Sequence, residues 1–216
     1  MDMAHAALRR KESEVIYMGT FSRIVLTGCM FLLATVAWSG DFKKGWDAYS
    51  STDYATALAE WQELADAGDV KASYGMGLLY GNGFGVEMND EMALKYYGYA
   101  AENGHAEAQF NLAVMHQNGW GVPPSDESAN TWYKLAADQG VIGSQIAMGR
   151  YYAMDFLDSY DPIQAYMWFK LAERLGDRDA SAKREFVETR MTADQVSEAE
   201  DRVTAWVDAH PALFTE

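Results

Sequence analysis

Few residues in this chain stand where chemistry could be done. Gly81-Asn82-Gly83-Phe84-Gly85 has the glycine density of a loop that wraps backbone amides around a phosphate. It follows a helical stretch rather than a strand, however, and no Lys-Ser/Thr comes after it, so a turn accounts for it better. The histidines are His5, His105, His116 and His210. His116 has no second histidine, cysteine or paired carboxylate at ligand spacing, so no metal is expected. The patterns HExxH, GxSxG, SxxK and CxxC do not occur. Carboxylates are plentiful, and two could converge as acid and base. Spacing singles out no pair, and Asp90, Asp126 and Asp161 each stand where a helix needs a cap. Nothing here calls for a cofactor, and the expectation is a protein that binds rather than catalyses.

Charge narrows what could be bound. Seventeen basic residues face 32 acidic ones, giving a net charge of −15. That surface repels phosphate backbones and anionic membrane faces, so nucleic acid is not an expected partner. It reads as a solvated, solubilising surface, with steering of cationic ligands as its other use. Cys29 is the single cysteine. It lies in an apolar segment near the N-terminus, so a chain processed after that segment would have no thiol chemistry.

That segment, Ile24 to Trp38, is an uncharged run of 15 residues behind Arg23. A membrane span needs about 20 residues, whereas the core of a secretory leader is this short. Ala37 and Ser39 place small residues for cleavage before Gly40. Starting at Met18 would set Gly19-Thr20-Phe21-Ser22-Arg23 directly before the apolar run. Export to the periplasm or beyond is the reading these residues favour. Two alternatives stay open: lipid attachment at Cys29, and an uncleaved inner-membrane anchor through residues 24–38, which would tether the rest.

The elements that must position any site come from a period of 36. Gly68, Gly104, Gly140 and Gly176 follow it, as do Ala57, Ala93, Ala129 and Ala165. Trp61, Tyr97, Tyr133 and Phe169 are in phase, with Tyr96, Trp132 and Trp168 beside them. Gly83-Phe84-Gly85-Val86 matches Gly119-Trp120-Gly121-Val122. Each unit reads as two helices, the first over about Ala106–Gln117 and the second from Ser125 or Asp126 to Gly140. Gly77, Ala113 and Gly149 fall where helices must approach closely. His116 shares its position with Tyr80 and Tyr152, an aromatic packing slot. Beyond Gly176 the period stops, and helices over Ala180–Thr189 and Ala193–Val207 are expected. Thr192 with Gln195 signals a capping box for the second.

Ala108-Gln109, Leu112-Ala113, Gly119, Gly121-Val122, Asp126, Ala129, Trp132 and Gly140 form a pattern that resembles the Sel1-like repeat. Residues 70–105 match it nearly as well. Residues 142–177 keep both helices but carry Asp155 and Leu157 in place of the turn glycines. Residues 40–69 resemble a shortened unit, truncated around Ser51-Thr52-Asp53, and 178–216 resemble a helical cap after the leader 1–39 and the repeats. The resemblance implies an all-α fold, a right-handed α/α solenoid of stacked helix pairs. Secreted Sel1-like proteins with cysteine-rich sequences have been discussed as hydrolases, a pattern from which this chain departs.

By similarity to Sel1-like and tetratricopeptide-like solenoids, the inner wall of the first helices would receive a ligand. That wall comprises Lys71, Tyr74 and Leu78, then Glu107, Phe110, Val114 and Gln117, then Ile146 and Arg150. Apolar anchors ringed by charge suit a peptide or protein partner, hence an adaptor or scaffold of the envelope. An envelope-polysaccharide or cell-wall binding module is the alternative, to be marked by exposed aromatic platforms.

Overall fold

A helix needs its first amide groups satisfied, and short polar side chains do this along almost the whole chain. Asp41, Asp53, Asp69, Asn89, Ser125 and Asp161 each accept a hydrogen bond from a backbone N–H two or three residues on. The computed structural model describes residues 40–155 and 158–214. The expectations for residues 1–39 and for Leu157 lie outside the described residues.

Ten helices, taken two by two along the chain, result among the described residues. They are α1 (Phe42–Ser50) with α2 (Tyr54–Asp66), α3 (Val70–Asn82) with α4 (Asp90–Glu102), and α5 (Ala106–Asn118) with α6 (Asp126–Asp138). Next come α7 (Ile142–Ala153) with α8 (Pro162–Arg174), and α9 (Ala180–Glu188) with α10 (Ala193–Ala209). A short 3₁₀ turn, Pro211–Leu213, follows, and there is no strand among the described residues. From α1 to α9 each helix packs on the next, and α10 returns onto α8. The architecture is an α/α solenoid.

The caps refine the sequence reading. Of Ser125 and Asp126 it is Ser125 that caps α6, and Asn89 rather than Asp90 caps α4, so that Asp90 and Asp126 are the first helical residues. Only Asp161 of the three named aspartates accepts the capping bonds. The period explains the shift: Asn89, Ser125 and Asp161 are each 36 apart, and Asp90 and Asp126 stand one place later, where a negative charge favours the helix dipole. The truncated first unit turns through Thr52, whose φ of 66° is unusual for a β-branched residue. As expected, Thr192 and Gln195 form a reciprocal capping box on α10.

Packing follows the period. Trp61, Tyr97, Tyr133 and Phe169 are all buried. A Cβ at Gly77 would stand 2.5 Å from the Tyr97 ring, and one at Gly149 would stand 2.5 Å from Phe169. Glycine is therefore required there for close helix approach. Ala113 and Tyr133 occupy the same in-phase positions of the middle unit and share one core cluster. Truncating a ring such as Trp61 to alanine would cost about 3–5 kcal/mol. In the turns, Gly119 adopts φ 74° and Gly121 φ 69°, and a Cβ on Gly121 would meet the Asp90 carbonyl at 2.7 Å. The glycine turn of one unit thus rests on the start of the preceding second helix. Finally, α9 and α10 cover α8: Val187 and Ala199 pack with Tyr166 and Phe169, while Val203 packs with Trp168 and Leu171.

Candidate interaction groove

The nine wall residues meet different neighbours. Lys71 lies over the Phe42 ring at 6.0 Å, reaching back to the first unit. Tyr74 stacks on His105 at 4.3 Å, and Leu78 packs beside it against the core. Glu107 is exposed near that stack, with its carboxylate 3.3 Å from His105 Nδ1. Val114 packs against the core cluster. The remaining four, Phe110, Gln117, Ile146 and Arg150, line one cavity of about 1210 Å³.

Three helices build that groove. Phe110 of α5 closes over Gly143, where a Cβ would approach its ring at 2.9 Å. Gln117 accepts a 2.9 Å hydrogen bond from the Tyr133 hydroxyl, which holds the far end of α5 to α6. From α6 the groove takes Asp126, Glu127 and Asp138, and from the α7–α8 connection Asp158. Lys134 and Arg150 are its cations, and Lys134 is already paired with Asp138 at 2.9 Å. The result is an acidic groove lined in part by aromatic rings, with one guanidinium that has no carboxylate partner. Sequence reasoning missed the α6 contribution, because α6 was read only for its buried alanines and aromatics. The exposed Leu135 was the available signal, an apolar side chain one period after the exposed Tyr99.

His105 was assigned no role from sequence, yet it caps α5. With the ring neutral and Nδ1 unprotonated, that nitrogen accepts from the Ala108 N–H at 3.4 Å, whereas protonation turns the same nitrogen to the Glu107 carboxylate at 3.3 Å. Burial lowers its pKa below the usual imidazole value, Glu107 raises it, and Lys71 lowers it further. Burial is the largest influence. His105 stands 36 residues after Asp69, the cap of α3, and that phase was the missed signal.

His116 sits with Leu94, Leu112 and Trp132 around a smaller surface cavity of about 390 Å³. Its buried Nδ1 has no hydrogen-bond partner. Its neighbours fit the aromatic-slot reading. Trp132 is half-buried there, whereas Trp168 is fully core. Among the described residues no three His, Cys, Asp or Glu groups stand together as metal ligands. Asp53 has its pKa lowered by the Thr56 hydroxyl and amide, and Glu60 by Lys44. Those shifts favour the ionised form, the opposite of a carboxyl held as a general acid.

Stacked helix pairs of constant period, with an open groove across their junctions, define a helical-repeat solenoid protein. The Sel1 repeat family model matches residues 70–105, 106–141 and 143–177. A Sel1 repeat protein from Oxalobacter formigenes superimposes with a TM-score of 0.63 at 30% identity, covering 67% of this chain and 59% of that one. A protective antigen of uropathogenic Escherichia coli strains, which displays an SLR fold, gives 0.50 at 23% identity, covering 89% and 50%. This chain therefore covers only about three-fifths of the first solved protein and half of the second. No protein of curated function matches the sequence. The chain belongs to the Sel1-like repeat proteins. Such repeats generally build protein–protein interaction scaffolds and are typically non-catalytic.

Proposed function

We propose that this protein is an exported adaptor that binds a protein partner in the bacterial envelope, using the groove across α5, α6 and α7. The carrying observation is that groove. Its floor offers Phe110 and Ile146 as partly exposed apolar anchors, and its rim combines carboxylates with the unpaired Arg150. Such a mixture suits a polypeptide better than a small apolar ligand. Export rests on the leader-like run Ile24–Trp38 and on the single cysteine lying within it.

Affinity capture from an envelope extract, followed by mass spectrometry, tests the reading. A reproducible protein partner is expected with the unmodified chain. The double variant Phe110→Ala/Arg150→Ala should lose about ten-fold or more of that capture while keeping its helical circular dichroism. Unchanged capture by the folded double variant would remove this groove from the account. Retention of glycans instead of protein would shift the reading to a polysaccharide-binding module. Fractionation of cells expressing the chain tests export, and recovery in the cytoplasm alone would overturn that part.

A further inference from the structure

A second cavity, of about 650 Å³, lies where the third full unit meets the cap. Ala153, Phe169 and Val187 form its floor. Phe186 and Met154 stand at its mouth, 57% and 39% exposed. Around them are Arg150, Arg178 and Lys183, with Asp179 as the one carboxylate of the lining. Arg190 lies over the Phe186 ring at 4.3 Å and pairs with Asp155 at 3.5 Å.

The charges there are anomalous for this chain. With nearly two acidic residues for each basic one, almost every described cation has found a carboxylate or a ring. Among the described residues, Arg150 and Arg178 are the two guanidinium groups with neither, and both line this cavity. Lys183 has only a backbone carbonyl, that of Asp179 at 3.1 Å. Three cations without a carboxylate partner thus surround an exposed phenylalanine on a protein whose net charge is −15. Surface ion pairs alone contribute little, so unpaired arginines are no defect of stability. What they supply is a local positive field over an apolar hollow, which selects a ligand of opposite charge that also carries an apolar group.

We infer that this cavity is a docking site for an acidic peptide segment that inserts an apolar side chain beside Phe186 and places carboxylates on Arg150, Arg178 and Lys183. This inference rests on the adaptor reading and gives it a partner chemistry. The rest of the acidic surface then repels a misplaced ligand, so that the cavity is the one favourable landing point on this part of the solenoid.

The test uses fluorescein-labelled ten-residue peptides and the purified full chain, read by anisotropy. One peptide carries glutamates around a single phenylalanine, a second has lysines in place of the glutamates, and a third has alanine in place of the phenylalanine. Binding is expected for the first only, weakening with added salt. Arg178→Glu and Phe186→Ser, which lie outside the α5–α7 groove, should each weaken it by about ten-fold with the helical spectrum intact. Equal binding of the lysine peptide, no binding of any peptide, or indifference to Arg178→Glu would overturn the proposal. Sedimentation of the chain alone is the second measurement. A dimer abolished by Phe186→Ser would assign this face to a second copy and overturn it as well. The two readings fail separately. Unchanged capture by Phe110→Ala with normal peptide binding counts against the groove alone, while failed peptide binding with capture still lost in Phe110→Ala counts against this cavity alone.

Discussion

The second and third full units, residues 106–141 and 142–177, share one fold and differ in almost everything that decorates it. In the second, His105 caps the first helix, whereas Val141 leaves the corresponding helix without a side-chain cap. In the second, the buried Gln109 is satisfied at both ends: its amide donates to the Ala101 carbonyl at 3.1 Å, and its oxygen accepts from Gln139 at 2.7 Å. Gln145 repeats the first bond, to Ala137 at 3.3 Å, but its oxygen is buried and unpaired. The reason is legible one period on, where Leu175 replaces Gln139. The second unit turns through two glycines, and the third through a longer connection that carries Asp155 and ends at Asp161. The backbone plan survives the loss of each of these devices because packing of the in-phase rings and small residues sustains it. Freed from the consensus, the third unit contributes Arg150 to both cavities and Met154 to the mouth of the second.

The largest expected effect is at the helix contact that both units retain. Gly149→Ala would drive a methyl into the Phe169 ring and should cost about 1–3 kcal/mol. In the second unit the reverse change, Ala113→Gly, should cost about 1 kcal/mol through backbone entropy and a lost methyl contact. Urea denaturation measures both. A neutral Gly149→Ala would mean that the third unit is loosely packed, and the comparison would then be one of rigid against soft repeats.

Next come the glutamines. Gln139→Leu copies the third unit into the second and leaves the Gln109 oxygen buried without a donor, an expected loss of about 1–3 kcal/mol. Leu175→Gln does the opposite and should return about 1 kcal/mol by supplying Gln145 with its missing donor. Equal and negligible changes in thermal denaturation would show that both oxygens are served by water, and the contrast between the units would lose its energetic content.

How much of this could be read in advance varies with the physics involved. The helix pairs, the close approach at Gly77 and Gly149, and the capping box at Thr192 were legible because each is a local rule expressed at fixed spacing. The capping role of His105 was missed because histidine is an uncommon cap, although its phase with Asp69 marked the position. The split of the nine wall residues between different neighbours was not legible, because it depends on how far each unit rotates on the next. Phe110 and Ile146 meet one cavity while Tyr74 meets a histidine, and no periodicity separates them. The cationic cavity was invisible for a further reason: Arg178, Lys183 and Phe186 lie beyond Gly176, where the repeat gives no register, and their lack of partners is a property of the fold alone.

The smallest expected effect separates the capped and uncapped units by pH. His105 holds its cap with an unprotonated Nδ1, and burial keeps its pKa below the ordinary 6.5 of histidine. The unfolded chain therefore binds this proton more readily than the folded one, so stability is fully present above pH 6.5 and declines as pH falls below it. Asp53 and Glu60, whose pKa values are lowered from ordinary values of 3.8 and 4.5, give up their contributions only at still lower pH. Melting temperature measured between pH 7.5 and 5.5 thus separates imidazole from these carboxylates. His105→Asp, which copies the cap at Asp69, should flatten that stretch of the profile and leave the pH 7.5 value nearly unchanged. Val141→Asp should raise stability by about 1 kcal/mol with no slope across the same range, since an aspartate cap stays ionised there. A slope that persists in His105→Asp would place the proton elsewhere and leave the cap of the second unit without a role in acid sensitivity.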